Sequence, residues 1–215
     1  MFSLFLNTVK KTEIKKIVII GPESTGKSTL CKQLAHQYNT NWCPEFAREY
    51  LLKYGMNYTY NDLLKIAKGQ IALEEECIQS AENNQQPALG NQQSESLYKL
   101  NTHHLPAGRQ GPLLFIDTDM YVMKVWCEFV FGKCHQWITK QIANRKYDLY
   151  LLCNVDLPWV KDELREYPDL VTREKLYHIY KNLLTNQSVP WIDISGGYEE
   201  RLEKAISATD KLLKK

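Results

Sequence analysis

Three things are missing from this chain, and each removes a class of function. Its six cysteines, Cys31, Cys43, Cys77, Cys127, Cys134 and Cys153, never form a C-x-x-C pair. Neither a zinc site nor a disulfide framework has that spacing, so they read as reduced, mostly buried thiols of a cytoplasmic protein. Cys134 and His135 are neighbours, and neighbours on a helix do not face one site. Long apolar runs are missing too. The opening MFSLFL breaks at Asn7, too soon for a signal core, and nothing later approaches the roughly 20 residues of a membrane span. Charge of one sign is the third absence. With 27 Lys and Arg against 25 Asp and Glu, the net charge of +2 makes no case for nucleic acid or an acidic partner. The expected partners are small molecules.

What is present is alternation. Ile14 to Ile20 is a β-branched apolar run closed by Gly21, the form of a buried parallel strand. Lys27 to Gln37 reads as a helix, Asn41 to Pro44 as a short strand, and PEFAREYLLKYG turns helical. Tyr60 to Ala81 is a longer helix with Leu63, Ile66, Ala67 and Ile71 on one face. Residues 83–111 are then rich in Asn, Gln, Ser, Gly and Pro without periodicity, which predicts a flexible insert. His103-His104 inside it read as a solvated pair. PLLFIDTD is the next strand, followed by helices around Met120–Phe129 and His135–Arg145. YDLYLLCNVD is a further strand and PWVKDELREYPDLVTRE a polar excursion. A helix over Lys175–Leu184, a strand in PWIDIS and a terminal helix over Glu199–Leu213 complete the order. Strands alternating with helices predict one α/β domain over 1–215, its parallel sheet covered on both faces.

GPESTGKS, Gly21 to Ser28, fits G-x-x-x-x-G-K-[ST] and lies between a strand and a helix, as that motif requires. Gly21 and Gly26 allow backbone conformations and close approach that a Cβ would obstruct. The amides of Glu23, Ser24, Thr25 and Thr29, with those of the glycines, can form a nest for phosphate, reinforced by the helix N-terminus. Lys27 reaches the β- and γ-phosphates of ATP, and the Ser28 hydroxyl is placed to ligate Mg²⁺. In LLFIDTD, four apolar residues precede Asp117, the form of a strand that holds Mg²⁺ by its terminal carboxylate. Asp117 could instead be a helix cap. Asp119, two residues on, is a cap, a substrate contact or a second acid.

Guanine-reading N-K-x-D, an L-S-G-G-Q-like signature and an Asp-Glu strand end are all absent. That sets aside GTPases, ABC ATPases and AAA+ motors in favour of a small-molecule kinase. Phosphoryl transfer to an alcohol requires a held hydroxyl, neutralised charge and exclusion of water. Glu45 and Arg48, in PEFAREY, follow the second strand, whose carboxyl end opens over the phosphate loop. Glu45 can accept the attacking hydroxyl's hydrogen bond or proton. Arg48 can steady Glu45, contact the γ-phosphate, or form a plain surface ion pair with it. Arg165 and Arg173, in DELREYPDLVTRE, fall where a mobile lid would supply charge on closure. Gly196-Gly197-Tyr198 follows the last strand, either at the adenine edge or as a turn with a core tyrosine.

GPESTGKSTL, PEFAREYL, IAKGQ, FIDTD, PWVKDELR and Arg173, in that order, resemble the ribosylnicotinamide kinase domain of NadR-type NAD-salvage proteins. The resemblance runs from about Lys16 to the C-terminus without the insert. It implies a nucleoside- and nucleotide-kinase-like P-loop fold with a five-stranded parallel sheet in the order 2-3-1-4-5. It also implies MgATP-dependent phosphorylation of the 5′-hydroxyl of nicotinamide riboside. The alternatives are a kinase for another nucleoside or small alcohol, a regulatory P-loop ATPase, or a nucleotide-binding protein without turnover. Family members often carry a nucleotidyltransferase domain upstream; only about fifteen residues precede the first strand here, so a stand-alone kinase is expected. Members also place a tryptophan before the glutamate, suited to stacking on nicotinamide. Pro44 stands there in this sequence, which leaves Trp42 or Trp126 as the candidate.

Overall fold

A computed structural model describes residues 13–82 and 113–214; the Asn/Gln-rich stretch and its histidine pair lie outside them. Five strands, β1 (Lys15–Ile20), β2 (Asn41–Cys43), β3 (Leu113–Asp117), β4 (Leu149–Cys153) and β5 (Trp191–Ile194), form one sheet. All pairings are parallel and the order is β2-β3-β1-β4-β5, as the resemblance implies. The helices are α1 (Lys27–Gln37), α2 (Phe46–Tyr54), α3 (Tyr60–Glu82), α4 (Met120–Phe131), α5 (Gln136–Asn144), α6 (Leu170–Thr185) and α7 (Tyr198–Leu213).

The period-2 alternation of β1 sorts its side chains into two layers. Ile17 and Ile19 face Leu30 and Leu34 of α1 and Ala205 of α7. Val18 and Ile20 face the other way, onto the layer of α3, α4 and α6. All four are fully buried, and each contributes about 1.5–3 kcal/mol against exposure. A third cluster gathers Ala47 and Leu51 of α2, Leu63 and Ile66 of α3, Met123 of α4 and Ile138 of α5. That cluster props the β2–α2 corner at the sheet's edge. All six cysteines are free and all but Cys134 are buried.

Most boundaries fall within a residue or two of expectation, and the largest difference is at α6. Helix α6 begins at Leu170 rather than Lys175, because Asp169 caps it by accepting a hydrogen bond from the Thr172 amide at 2.7 Å. Arg173 therefore lies in the first turn of a helix and is 2% exposed, not in a solvated lid. No described helix is long and apolar enough to cross a membrane.

Candidate active site

Parallel strands end at one edge of their sheet, so the segments after β1 to β5 converge there. Those segments carry the phosphate loop, Glu45, Asp117, the strap 154–169 and Gly196-Gly197. Gly21 leaves β1 at φ 145°, and a Cβ on it would stand 2.6 Å from the Cys153 carbonyl oxygen. Ser24 and Gly26 also have positive φ, 57° and 78°. The loop is tied to itself and to α7. Thr25 Oγ1 and Lys27 Nζ donate to the Pro22 carbonyl at 2.7 and 2.8 Å, and Arg201 donates to that of Thr25 at 2.9 Å. Gly21 to Thr29 form one wall of a cavity of about 230 Å³.

Asp117 lies beneath that wall, 1% exposed, and neither of its oxygens meets hydrogen-bond geometry with a described group. Burial, then the charge of Glu45, pushes its carboxyl up to about 7; Lys27 and the Ser28 hydroxyl oppose the rise. It is not a helix cap. Asp119 is one: it accepts from the Tyr121 and Val122 amides at 2.9 and 3.4 Å, and from Tyr150 Oη at 2.8 Å. Burial pushes Asp119 to about 7 as well, opposed by those three donors. Of the roles open to Asp119, the structure places it in the cap, away from the cavity lining.

The same cavity is lined by Glu45, in the N-cap position of α2 but without a capping side-chain bond. Thr118 Oγ1 approaches Glu45 Oε1 at 3.5 Å. The IAKGQ segment explains how the corner is held. Gln70 Oε1 accepts from the Phe46 amide at 2.7 Å, and its Nε2 donates to the Pro44 carbonyl at 3.2 Å. A Cβ on Gly69 would stand 2.1 Å from the Phe46 ring, so the glycine lets that ring close onto α3.

Arg48 lines the cavity but pairs with Asp162, at 3.1 Å, and not with Glu45. Arg165 donates to Ser24 Oγ at 3.3 Å and to the Val160 carbonyl. Arg173, from α6, donates to the Ser24 carbonyl at 3.3 Å. Glu23 accepts from the Glu166 amide at 3.0 Å and from that of Tyr167. The strap is thus fastened to the tip of the phosphate loop. Trp126 lines the cavity. Trp42 does not; it packs on the α1–α7 layer with Lys32 Nζ 5.3 Å from its ring. Tyr198 lies outside the lining and 53% exposed, its ring edge 3.8 Å from where a Cβ of Gly26 would be. Tyr167 lines the cavity as well, and Arg201 and Gln70 hold the loop and the corner from outside the lining; of these only Gln70, in IAKGQ, lies in a segment that carries the resemblance.

Among the described residues no three His, Cys, Asp or Glu side chains gather around one point. A magnesium ion held by one hydroxyl, one carboxylate and the phosphates needs no such cluster. The buried carboxyl of Asp117, with neither oxygen in full hydrogen-bond geometry and the Ser28 hydroxyl beside it, fits that donor set.

The chain is similar to two trifunctional NAD biosynthesis/regulator proteins NadR, from Salmonella typhimurium and Escherichia coli. Each is 23% identical over 210 residues, 95% of this chain, which spans 44% of their length. Among solved structures, NadR protein in complex with NR superposes with a TM-score of 0.69 at 21% identity, over 94% of this chain and 50% of that one. NadR protein in complex with NAD and AMP-PNP gives 0.62 at 20% identity, with the same coverage. Thymidylate kinase from Ehrlichia chaffeensis gives 0.56 at 11%, over 91% of this chain and 98% of that one. The model of an AAA domain matches residues 16–201, the span from β1 to Arg201 that builds the phosphate loop and every wall around it; the chain belongs to the AAA domain family.

Proposed function

We propose that the chain is an ATP-dependent kinase that transfers the γ-phosphoryl group to the 5′-hydroxyl of nicotinamide riboside, giving nicotinamide mononucleotide. One observation carries the reading. One cavity is lined by the phosphate loop, Gly21 to Thr29, and also by Glu45 and Trp126. The similarity to NadR in complex with NR and with AMP-PNP supports the same pair of ligands.

In this reading the loop amides and the α1 N-terminus hold the β- and γ-phosphates. Lys27 turns from the Pro22 carbonyl toward them, and Arg165 adds charge from the strap. Glu45 accepts the hydrogen bond of the ribose hydroxyl and takes its proton as the new P–O bond forms and the bond to ADP breaks. Ser28 and Asp117 would hold Mg²⁺, which neutralises charge on the phosphates when bound. The strap, fastened at Glu23 and Ser24, keeps water from the reacting group. Pro44 offers no aromatic surface for the base; in this reading Trp126 supplies it, from a lining that also holds Phe129, Tyr167 and Tyr180. That substitution favours a second reading, a kinase for a different nucleoside.

The test is to incubate the protein with MgATP and a panel of nucleosides and follow ADP. The reading expects ADP release dependent on nicotinamide riboside. Dependence on another nucleoside replaces the substrate, and ADP release without any makes the chain a regulatory ATPase.

A further inference from the structure

Tyr58 lies in the short connection between α2 and α3 and belongs to neither wall of the cavity. Its hydroxyl nonetheless joins them. Trp126 Nε1 donates to Tyr58 Oη at 2.9 Å, and Tyr58 Oη donates to Glu166 Oε2 at 2.8 Å. The Glu166 main chain continues the path: its amide donates to Glu23 Oε2 at 3.0 Å, and the next amide, of Tyr167, donates to Glu23 Oε1. Glu23 is part of the phosphate loop. The rings of Tyr58 and Trp126 also meet edge to face, with centroids 5.0 Å apart and planes at 76°. Three hydrogen bonds therefore separate the indole that faces the cavity from the loop that holds phosphate.

The chemistry of the middle link is restrictive. A phenol has one proton to give. Indole is a donor only, so Tyr58 must accept from Trp126 and spend its proton on Glu166. Burial pushes the phenol's pKa up, which keeps that proton in place. An indole displaced by a stacked base changes what Tyr58 accepts. A strap displaced by nucleotide at Glu23 changes what Tyr58 donates to. Either event is felt by the other because one hydroxyl serves both.

We propose that Tyr58 is a positioning residue that couples occupancy of the nucleoside side of the cavity, sensed at Trp126, to the seating of the strap on the phosphate loop, through Glu166 and Glu23. The inference rests on the reading that Trp126 faces the nucleoside. Linkage makes the coupling reciprocal: nucleoside tightens nucleotide by the factor by which nucleotide tightens nucleoside.

The test is calorimetric titration of AMP-PNP with magnesium, with and without saturating nicotinamide riboside. In the native protein the nucleoside is expected to tighten AMP-PNP by at least about fivefold. Tyr58→Phe keeps the ring contact and removes the hydroxyl; the ratio is expected to fall to within about twofold of one, while affinity without nucleoside stays within about twofold of native. A purely structural Tyr58 would weaken both affinities together and leave the ratio alone. Glu166→Ala, an exposed side chain that cannot unfold the core, should abolish the ratio, and Glu166→Gln, which keeps an oxygen acceptor, should restore most of it. A native ratio of one, or a native ratio retained in both Tyr58→Phe and Glu166→Ala, overturns the proposal. If nicotinamide riboside does not bind but another nucleoside of the panel does, only the substrate reading fails, and the ratios are read with that nucleoside. A chain that takes no nucleoside overturns both.

Discussion

Arg201→Met would remove the bolt between α7 and the phosphate loop without leaving a large void. Arg201 is 3% exposed. Its Nε donates to the Gly196 carbonyl at 2.8 Å, Nη1 to that of Thr25 at 2.9 Å, and Nη2 to that of Asn154 at 2.9 Å and to Asp156. The methionine stem replaces most of the buried chain, so the loss is electrostatic. Removing one member of a buried charged pair costs about 3–5 kcal/mol, mostly from the partners left behind. Asp156 is partly exposed and keeps the Gly196 amide, at 2.6 Å, so the low end applies, about 3 kcal/mol. With a urea m-value of about 2–3 kcal/mol/M, the unfolding midpoint should fall by about 1–1.5 M at unchanged m. Thermal unfolding should come about 6–12 °C earlier. The freed Thr25 carbonyl lies inside the loop, so AMP-PNP should bind at least about tenfold more weakly, or about 1.4 kcal/mol. Arg201→Lys, which can reach one carbonyl but not all three, should fall between. A loss below about 1 kcal/mol in Arg201→Met, with native AMP-PNP affinity, would refute the reasoning, because these bonds would then stabilise no more than surface contacts do.

Other outcomes are expected from the same geometry. Glu45→Gln should lower nucleoside-dependent ADP release by about 100-fold or more while leaving AMP-PNP affinity native, as steady-state kinetics and titration would show together. Asp117→Asn should raise the magnesium concentration for half-maximal turnover by about tenfold, read from a magnesium series at fixed ATP. Gly69→Ala puts a methyl group into the Phe46 ring and should cost about 1–3 kcal/mol in urea unfolding, with the KM for nucleoside raised as the Glu45 corner shifts.

The parts of this architecture that were legible in the sequence are those fixed by local rules. The β-branched run of β1, the glycine that ends it and the helix from Lys27 to Gln37 depend on contacts a few residues long; the helix bounds match and the strand starts one residue later than expected. The phosphate loop is legible for the same reason: its geometry is written by glycines at fixed spacing. Arg173 shows where local reading stops. Charges of both signs from Pro158 to Glu174 suggest solvent throughout, yet Asp169 caps a helix that turns Arg173 inward, under the loop. The cap is a local signal and could have been weighed. Arg201 had none. On the amphipathic pattern of α7 it is one more charged residue, and the carbonyl it holds is 176 positions away.

The same division separates the phosphate loop from the rest of the cavity lining. Phosphate is bound by main chain, and main-chain geometry leaves a mark in composition. A base is bound by side chains from separate elements, and their convergence leaves none. Trp126, Tyr58 and Glu166 come from α4, the α2–α3 connection and the strap, and no spacing rule joins them. Pro44 bears on this point. With no aromatic at the β2–α2 corner, facing the base falls, in the proposed reading, to Trp126, more than 80 positions later, whose indole donates a hydrogen bond to the Tyr58 hydroxyl. In the proposed kinase, nucleoside preference therefore depends on a hydrogen bond that can be deleted by one atom, whereas nucleotide binding depends on a backbone that can be altered only by changing glycines.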